Sequence, residues 1–320
     1  MAENLETVKG ASLWRDAWKR LLKNKLAVFG MVVMALMIVA VVVGPTIIRL
    51  TTGITADQIP ADGALIKSFP PSLQHPMGTD EAGRDLLARV LQGGRISLMV
   101  GVISTIVSLI VGVSYGAIAG YLGGRIDNIM MRIVDIIYAV PYILIVIVLL
   151  SVFGGPNTPS GIKWLAERFG GAGNQGLAQI FLLFFSLGLV SWLTMARVVR
   201  GQVLSLKNQE FVLAARATGV STFGIIFRHL VPNSLGPVIV YATLTVPSVM
   251  LSEAFLSYLG LGVQAPYASW GSLASDGVKN IAIFPWQLIF PGVTMALTLF
   301  SLNFLGDGLR DALDPQTRKF

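Results

Sequence analysis

The sequence predicts an all-α polytopic membrane protein with six transmembrane helices, and three observations support this fold class. Only 13% of the 320 residues are charged, whereas a soluble domain carries about 25%. The mean hydropathy is +0.71. Six apolar stretches are each long enough to cross a hydrocarbon core about 30 Å thick. This composition excludes a soluble globular enzyme, and the low charge also excludes a disordered chain.

The predicted spans lie within residues 26–48, 96–124, 135–153, 177–196, 235–252 and 281–305. The first contains no charge between Lys25 and Arg49. It is longer than the apolar core of a signal peptide, and no small-residue cleavage site follows it. It is therefore predicted to remain as a span.

The lysine and arginine residues predict that both termini are cytoplasmic. With the N-terminus inside, the inner segments 1–25, 125–135, 197–233 and 306–320 hold 16 of the 24 basic residues. Acidic residues divide almost evenly between the two sides, so the whole formal charge of +7 lies on the inner face. This positive-inside pattern explains the basic composition without nucleic-acid binding.

Residues 1–25 are predicted to form a cytoplasmic amphipathic segment. Its apolar residues recur at helical spacing among lysines and arginines, and they are Leu13, Trp14, Ala17, Trp18, Leu21 and Leu22. Such a helix lies either in the plane of the lipid headgroups or in the cytoplasm as a plain tail helix.

The external loop 49–95 is expected to contain one short helix. Thr79 is the expected helix cap, and an apolar face follows at Leu86, Leu87, Val90 and Leu91. The helix is expected to lie against the outer ends of the spans, with contact between its charges and a substrate as the alternative. Residues 96–305 are then a five-helix core, and residues 306–320 form a cytoplasmic tail.

The second span carries a small residue at every fourth position, namely Ser104, Ser108, Gly112, Gly116 and Gly120. Helices in lipid associate through close backbone contact, because burying apolar side chains gives no advantage there. This stripe predicts a helix at the centre of the bundle.

Acidic residues are absent from the middle of the predicted spans, where an ion-coupled transporter usually holds them. This absence argues against a stand-alone secondary transporter and moves the expected energy source to another subunit. The chain has no cysteine and only two histidines, so no metal site is predicted. A structural or signalling membrane protein is a further alternative.

The inner loop 197–233 contains the most informative motif. Good helix formers run from Glu210 to Thr218, and Gly219 follows as a C-cap. Ala214 and Ala215 keep one face low enough for another protein to approach closely. On physical grounds, this helix is either a docking element or a plain connection.

The same loop resembles the EAA signature of permease subunits of bacterial ABC importers. That signature reads Glu-Ala-Ala, three residues, Gly, nine residues, Ile, one residue, Leu-Pro. The matching positions are Ala214, Ala215, Gly219 and Pro232, which marks the return into the fifth span. The departures are Leu213 for the glutamate, His229 for the isoleucine and Val231 for the leucine.

Further strings resemble the dipeptide/oligopeptide/nickel permease group, and together they are similar to the C-type permease subunit of oligopeptide importers. They are SLW (12–14), HPMGTD (75–80), GRD (83–85), GRISL (94–98), GYLGG (120–124), SYLGLG (257–262), SWG (269–271) and GDGLRDALDP (306–315). The resemblance covers nearly the whole chain.

The resemblance implies an ABC type I importer permease core in the bacterial inner membrane. A homologous B-type permease would complete a heterodimeric pore, two ABC ATPase subunits would bind ATP and Mg²⁺ below it, and an external solute-binding protein would deliver a peptide. The helix that couples to an ATPase would comprise Glu210, Phe211, Ala214, Ala215, Arg216 and Gly219. The chain itself would bind no cofactor and catalyse no reaction, and it has no GxxxxGK[ST] phosphate-binding loop.

Oligopeptides are the expected substrate, with dipeptides, nickel, glutathione or another small solute as alternatives. In similar permeases the fifth span and its neighbours line the passage, so the candidate residues are Tyr241, Thr243, Thr245, Pro247, Ser248 and Ser252. Alternatively, these hydroxyl groups donate hydrogen bonds to backbone carbonyls within the bundle.

Overall fold

The computed structural model describes residues 13–59, 68–154, 157–170 and 175–313, which are almost entirely helical. The first seven helices are α1 (Leu13–Leu21), α2 (Lys25–Thr52), α3 (Leu86–Leu122), α4 (Gly124–Ala139), α5 (Tyr142–Phe153), α6 (Ser160–Gly170) and α7 (Gln175–Leu206). The remaining helices are α8 (Glu210–Ala217), α9 (Thr222–Gly224), a π-helical segment (Ile225–Leu230), α10 (Val231–Asn233), α11 (Leu235–Tyr258), α12 (Trp270–Lys279) and α13 (Trp286–Leu313). The predicted segments at 1–25, 49–95 and 306–320 each lie partly outside the described residues.

Five helices in the described ranges are long and apolar enough to cross a membrane, namely α2, α3, α7, α11 and α13. Helices α4 and α5 meet the same criterion together, although an 87° bend separates them. The third predicted span, residues 135–153, is therefore not one continuous helix. The bend lies at Val140 and Pro141, where proline has no N–H group to continue the helical hydrogen bonds.

Helix α3 differs from its prediction at the outer end. It begins at Leu86 and continues without a break to Leu122, so the prediction of a separate short helix in the external loop is wrong. Asp85, and not Thr79, caps it, because Asp85 Oδ1 accepts a hydrogen bond from the Ala88 N–H at 2.7 Å. The Thr79 hydroxyl instead accepts a hydrogen bond from the Phe69 N–H at 2.6 Å.

Helix α3 packs along α7 at the centre of the bundle, and the predicted small residues lie at this contact. A Cβ atom added to Gly116 would stand 2.3 Å from the Ala196 carbonyl oxygen, and one added to Gly112 would stand 2.6 Å from Met195 Cβ. The Ser104 hydroxyl donates to the Phe184 carbonyl at 2.7 Å. The two backbones can approach this closely only because α3 carries small side chains here. Ser108 is fully buried, and Gly120 lies against Arg200 and Val203 of α7.

The end of the bundle at which α3 begins, which is the predicted outer end, is closed by α12, in a segment where the sequence predicts no helix. Trp270 is fully buried, and its Nε1–H donates to the Val90 carbonyl at 2.8 Å. The Trp270 N–H donates to Ser97 Oγ at 2.9 Å. The buried Glu253 carboxylate accepts hydrogen bonds from Ser257 at 2.6 Å and Ser269 at 2.7 Å. These bonds join α12 to α3 and α11, so every polar group named here has a partner in the interior.

The two ends of the described chain meet on one side of the bundle. In α1, Ala17 and Leu21 are buried in a cluster with Ala312 near the end of α13. Trp18 remains 55% exposed, so the amphipathic helix packs one side on protein and presents the other outward. Helix α13 begins at Trp286, later than the residue 281 predicted, and continues to Leu313, so the described part of the predicted tail is helical.

Candidate functional site

Helix α8 projects from the opposite end of the bundle, which is the predicted inner end, and exposes most of its predicted docking residues. Val212 and Ala215 are buried in a cluster with Leu230 of the π-helical segment. Five of the predicted residues are exposed, namely Glu210, Phe211, Ala214, Arg216 and Gly219, whereas Ala215 faces inward. The helix ends at Ala217, close to the predicted end.

The C-terminal end of α8 requires the glycine that follows it. Gly219 has φ +80°, in the left-handed region, and its N–H bonds to the Arg216 carbonyl at 3.1 Å. The Val220 N–H bonds to the Ala215 carbonyl at 3.1 Å. This paired arrangement is a Schellman motif. A Cβ atom at Gly219 would meet nothing within 4 Å, so the backbone conformation alone selects glycine here.

Polar contacts attach the loop around α8 to the inner end of α3. Lys207 Nζ donates to the Gly120 carbonyl at 3.2 Å. The Arg216 guanidinium lies 5.7 Å from the centre of the Tyr121 ring and donates to its hydroxyl at 3.4 Å. Beyond α8, Pro232 lies in α10 directly after the π-helical segment, at the return toward α11. The loop is therefore held by the central helix as well as by its own connections.

A cavity of about 470 Å³ opens where the bend between α4 and α5 faces α7 and α11. It is lined by Ile137, Tyr138, Val140, Pro141, Tyr142, Ile145, Val190, Ser191, Leu193, Thr194, Tyr241, Leu244, Thr245, Ser248 and Ser252. None of these described lining residues is charged. The surface offers hydroxyl groups and tyrosine rings, which suit a neutral polar ligand such as a peptide backbone.

Four of the predicted path residues meet in this cavity, namely Tyr241, Thr245, Ser248 and Ser252. Pro247 is buried and does not line it. Thr243 turns toward α13, where it lies close to Gly306. The helical periodicity of α11 thus places these predicted path residues on different sides of the helix.

The hydroxyl groups of α11 both line the cavity and bond to their own helix. Thr245 donates to the Tyr241 carbonyl at 2.8 Å, Ser248 to the Leu244 carbonyl at 3.1 Å, and Ser252 to the Ser248 carbonyl at 2.9 Å. Each hydroxyl hydrogen is thereby used, while the oxygen keeps acceptor capacity toward the cavity. The two interpretations of these residues are therefore compatible.

One wall of this cavity is not predicted from the sequence. Tyr138, Val140, Pro141 and Tyr142 lie at the bend and line the cavity, although the apolar run around them predicts an ordinary span. The available signal is Pro141 inside an apolar stretch, since the residue before a proline avoids helical conformation. Val140 accordingly has φ −83° and ψ 130°, which is extended backbone.

Two ion pairs join α4 to α7. Arg200 donates to both oxygens of Asp127, at 2.5 and 2.7 Å. Arg197 donates to Asp135 at 2.8 Å, and its guanidinium lies 4.4 Å from the centre of the Tyr138 ring. Sequence distance hides these pairs, because the partners of each lie on different helices.

The charged residues just before α3 stabilise the local fold. Asp80 accepts from the Arg84 side chain at 2.7 Å, and its other oxygen accepts from the Ala82 and Arg84 N–H groups at 2.9 Å. Within the described ranges, no group of three histidine or carboxylate side chains is arranged to hold a metal ion.

Two families match the chain. The family described as "Binding-protein-dependent transport system inner membrane component" matches residues 112–319. The family described as "N-terminal TM domain of oligopeptide transport permease C" matches residues 12–66.

Several curated relatives are similar over nearly the full chain. Oligopeptide transport system permease protein OppC of Escherichia coli strain K12 is 46% identical over 99% of this chain and 95% of its own length. OppC of Bacillus subtilis strain 168 is 44% identical over 97% of this chain and 92% of its own length. Dipeptide transport system permease protein DppC of the same Bacillus strain is 43% identical over 98% of this chain and 90% of its own length.

Proposed function

The chain belongs to the family of inner-membrane components of binding-protein-dependent transport systems, and we propose that it is a permease subunit of an ATP-driven importer of oligopeptides. The observation that supports this proposal most directly is the 44–46% identity to two OppC proteins over almost the whole chain. Dipeptides are the second candidate substrate, because a DppC relative is 43% identical over a similar length.

The proposed topology has six spans and places both termini in the cytoplasm. The excess of basic residues in the predicted inner segments supports this orientation. The packing of Ala17 and Leu21 with Ala312 supports placing the two ends on one side. Counting α4 and α5 as one bent span makes the total even, which this arrangement requires. Residues 1–25 would then be the cytoplasmic amphipathic segment, and residues 96–305 the permease core.

Its proposed partners are a homologous B-type permease, two ABC ATPase subunits and an external solute-binding protein. The exposed residues of α8 suit it as the coupling helix, since Phe211 is a partly exposed apolar side chain near the low surface of Ala214. Hydrolysis of ATP, with its Mg²⁺, would take place on the ATPase subunits. The chain would itself carry no catalytic residue.

The proposed translocation path passes the cavity at the α4–α5 bend. Its uncharged lining in the described residues would make few demands on peptide side chains. The hydroxyl oxygens of Thr245, Ser248 and Ser252 would accept hydrogen bonds from peptide N–H groups, because their own hydrogens are already donated to the helix.

Transport by the complete complex in proteoliposomes tests the proposal. The complex of this chain with its permease partner, two ATPases and binding protein should accumulate labelled oligopeptides when ATP is supplied on the ATPase side. A complex with hydrolysis-defective ATPases is the control. Dipeptides of matched composition distinguish the second candidate substrate. If an assembled wild-type complex hydrolyses ATP but imports neither kind of peptide, the proposal is overturned.

A further inference from the structure

Helix α4 carries one wall of the cavity but is thinly packed against the rest of the chain. Only Asp127 and Val134 of its described residues are buried. Val134 packs with Trp192, Leu193 and Ala196 of α7. Exposed isoleucines face outward along the helix, namely Ile126, Ile129, Ile133 and Ile136. Polar attachments therefore matter more for α4 than for the densely packed α3.

The buried attachment is the pair of Asp127 and Arg200. Asp127 is 6% exposed, and both of its oxygens accept hydrogen bonds from the one guanidinium. A two-point contact of this kind sets the orientation of the two helices as well as their separation. The pair of Asp135 and Arg197 is by contrast exposed on both sides, so solvent weakens its hold.

The same part of α7 connects the cavity with α8. Upstream of Arg200, Leu193 and Thr194 line the cavity. Downstream, α7 ends at Leu206, and Gln209 caps α8. A displacement of α8 is thus passed to α7 through residues 207–209, whereas, within the described residues, it reaches α4 along the chain only through the contact of Arg216 with Tyr121, near the end of α3.

We infer that Asp127 and Arg200 are a positioning pair that makes α4, and with it the bent wall of the cavity, move together with α7 when α8 is displaced. The inference rests on the proposed function, since it requires α8 to receive the motion of an ATPase. Neither residue lines the cavity, so both act through the helices that they join. Without the pair, α7 moves and the opposite wall lags behind.

The first test compares uptake per ATP hydrolysed in the reconstituted complex. Asp127→Asn should leave ATP hydrolysis largely intact and lower the uptake per ATP by about fivefold or more, as expected for loss of a coupling interaction. Asp135→Asn, in the exposed pair on the same two helices, should lower it by less than about twofold. An unchanged ratio in Asp127→Asn, or an equal fall in both variants, would overturn the inference.

A double-mutant cycle tests whether the two residues act as one unit. Arg200→Gln alone, and Asp127→Asn together with Arg200→Gln, should each lower uptake per ATP about as much as Asp127→Asn alone. Effects that multiply in the double variant would show separate roles and contradict the inference. Loss of stability alone would reduce the yield of complex and lower ATP hydrolysis in parallel with uptake.

A covalent tether keeps the inference testable where a charge variant fails to assemble. The chain contains no cysteine, so Asp127→Cys with Arg200→Cys introduces a single thiol pair. In a complex whose other subunits lack accessible cysteines, a short bifunctional thiol reagent should restore uptake per ATP relative to the untreated variant. If the reagent does not restore uptake per ATP, the two helices need not move together. If cross-linking abolishes uptake completely, they must not move together. Either result contradicts the inference.

These outcomes separate the inference from the proposed function. If the wild-type complex imports no peptide, the proposed function fails. If the wild-type complex imports peptide and the variants remain fully coupled, only the positioning role fails.

Discussion

Different kinds of contact hold the two ends of the helix bundle together, namely the predicted outer end, which carries α12, and the predicted inner end, which carries α8. At the outer end, the fully buried Trp270 and Glu253 bond to groups on neighbouring elements. At the inner end, the backbones of α3 and α7 are in contact at Gly116. Helix α4 is held against α7 by the packing of Val134 and by the ion pairs of Asp127 and Asp135.

This difference indicates which end can change shape. A buried side chain with all of its hydrogen bonds made has no alternative arrangement of similar energy, because opening it leaves polar groups without partners. At the inner end, the pair of Asp135 and Arg197 is exposed on both sides and can exchange its protein partners for water at lower cost. The inner end, from which α8 projects, is therefore the more adaptable one.

The largest expected effect breaks the outer end. Trp270→Ala removes a fully buried ring and its hydrogen bond to the Val90 carbonyl of α3, and it should destabilise the protein by about 3–5 kcal/mol. The shift in thermal unfolding of the purified complex measures this. Trp164→Ala, at a tryptophan that is 62% exposed on α6, is the matched control and should change stability by less than about 0.5 kcal/mol. Equal shifts in the unfolding temperature of the two variants would contradict the conclusion that Trp270 stabilises the outer end.

The next effect concerns the rigid part of the inner end. Gly116→Ala places a methyl group 2.3 Å from the Ala196 carbonyl oxygen, so α3 and α7 must separate, at a cost of about 1–3 kcal/mol. Gly201→Ala, on α7, meets nothing within 4 Å and should be neutral or slightly stabilising. Thermal unfolding of both variants in the same complex distinguishes a close contact from a general intolerance of alanine. A neutral Gly116→Ala would show that the helices are not in close contact.

A smaller effect on stability, with a larger one on coupling, is expected at the end of α8. Gly219→Val places a β-branched residue at φ +80° and should cost about 1–2 kcal/mol while distorting the Schellman motif. Uptake should fall more than ATP hydrolysis if α8 is the coupling helix. Gly219→Asn, which tolerates this conformation, should retain most of the uptake. Full uptake and full stimulation of the ATPase in Gly219→Val would refute the coupling assignment.

The features that the sequence could predict are those set by local pattern. Glu210–Ala217 is helical because strong helix formers run up to a glycine, and the small residues of α3 repeat at the spacing that places them on one face. Hydropathy alone places the start of α3 too late, because charged residues near its N-terminal end interrupt the apolar run. The helix nevertheless continues through them, since they find partners in the fold. Arg95, for example, donates to the Val41 carbonyl at 2.6 Å.

The remaining features depend on partners that are far apart in sequence. Asp127 and Arg200 pair across 73 positions, and Trp270 bonds to Val90 across 180. No periodicity in either segment encodes such a pairing, because it arises only when the helices pack. The bend is a different case, as Pro141 provides a local signal that the uniform apolarity of its surroundings obscures.

The smallest expected effect is at the position where the EAA signature has glutamate. Leu213 is 49% exposed on α8, so Leu213→Glu removes little buried apolar surface and should change stability by less than about 0.5 kcal/mol. Uptake and ATP hydrolysis should stay within about twofold of wild type, because the EAA signature itself has a glutamate at this position of the coupling helix. Val212→Glu, one residue earlier and fully buried, is the contrasting variant and should detach α8 from its apolar cluster, because an unpaired carboxylate cannot remain there. If Leu213→Glu severely lowers uptake while ATP hydrolysis is preserved, an apolar side chain at this position is part of the ATPase contact. The sequence of the inner end would then be constrained more strictly than the exposure of Leu213 indicates.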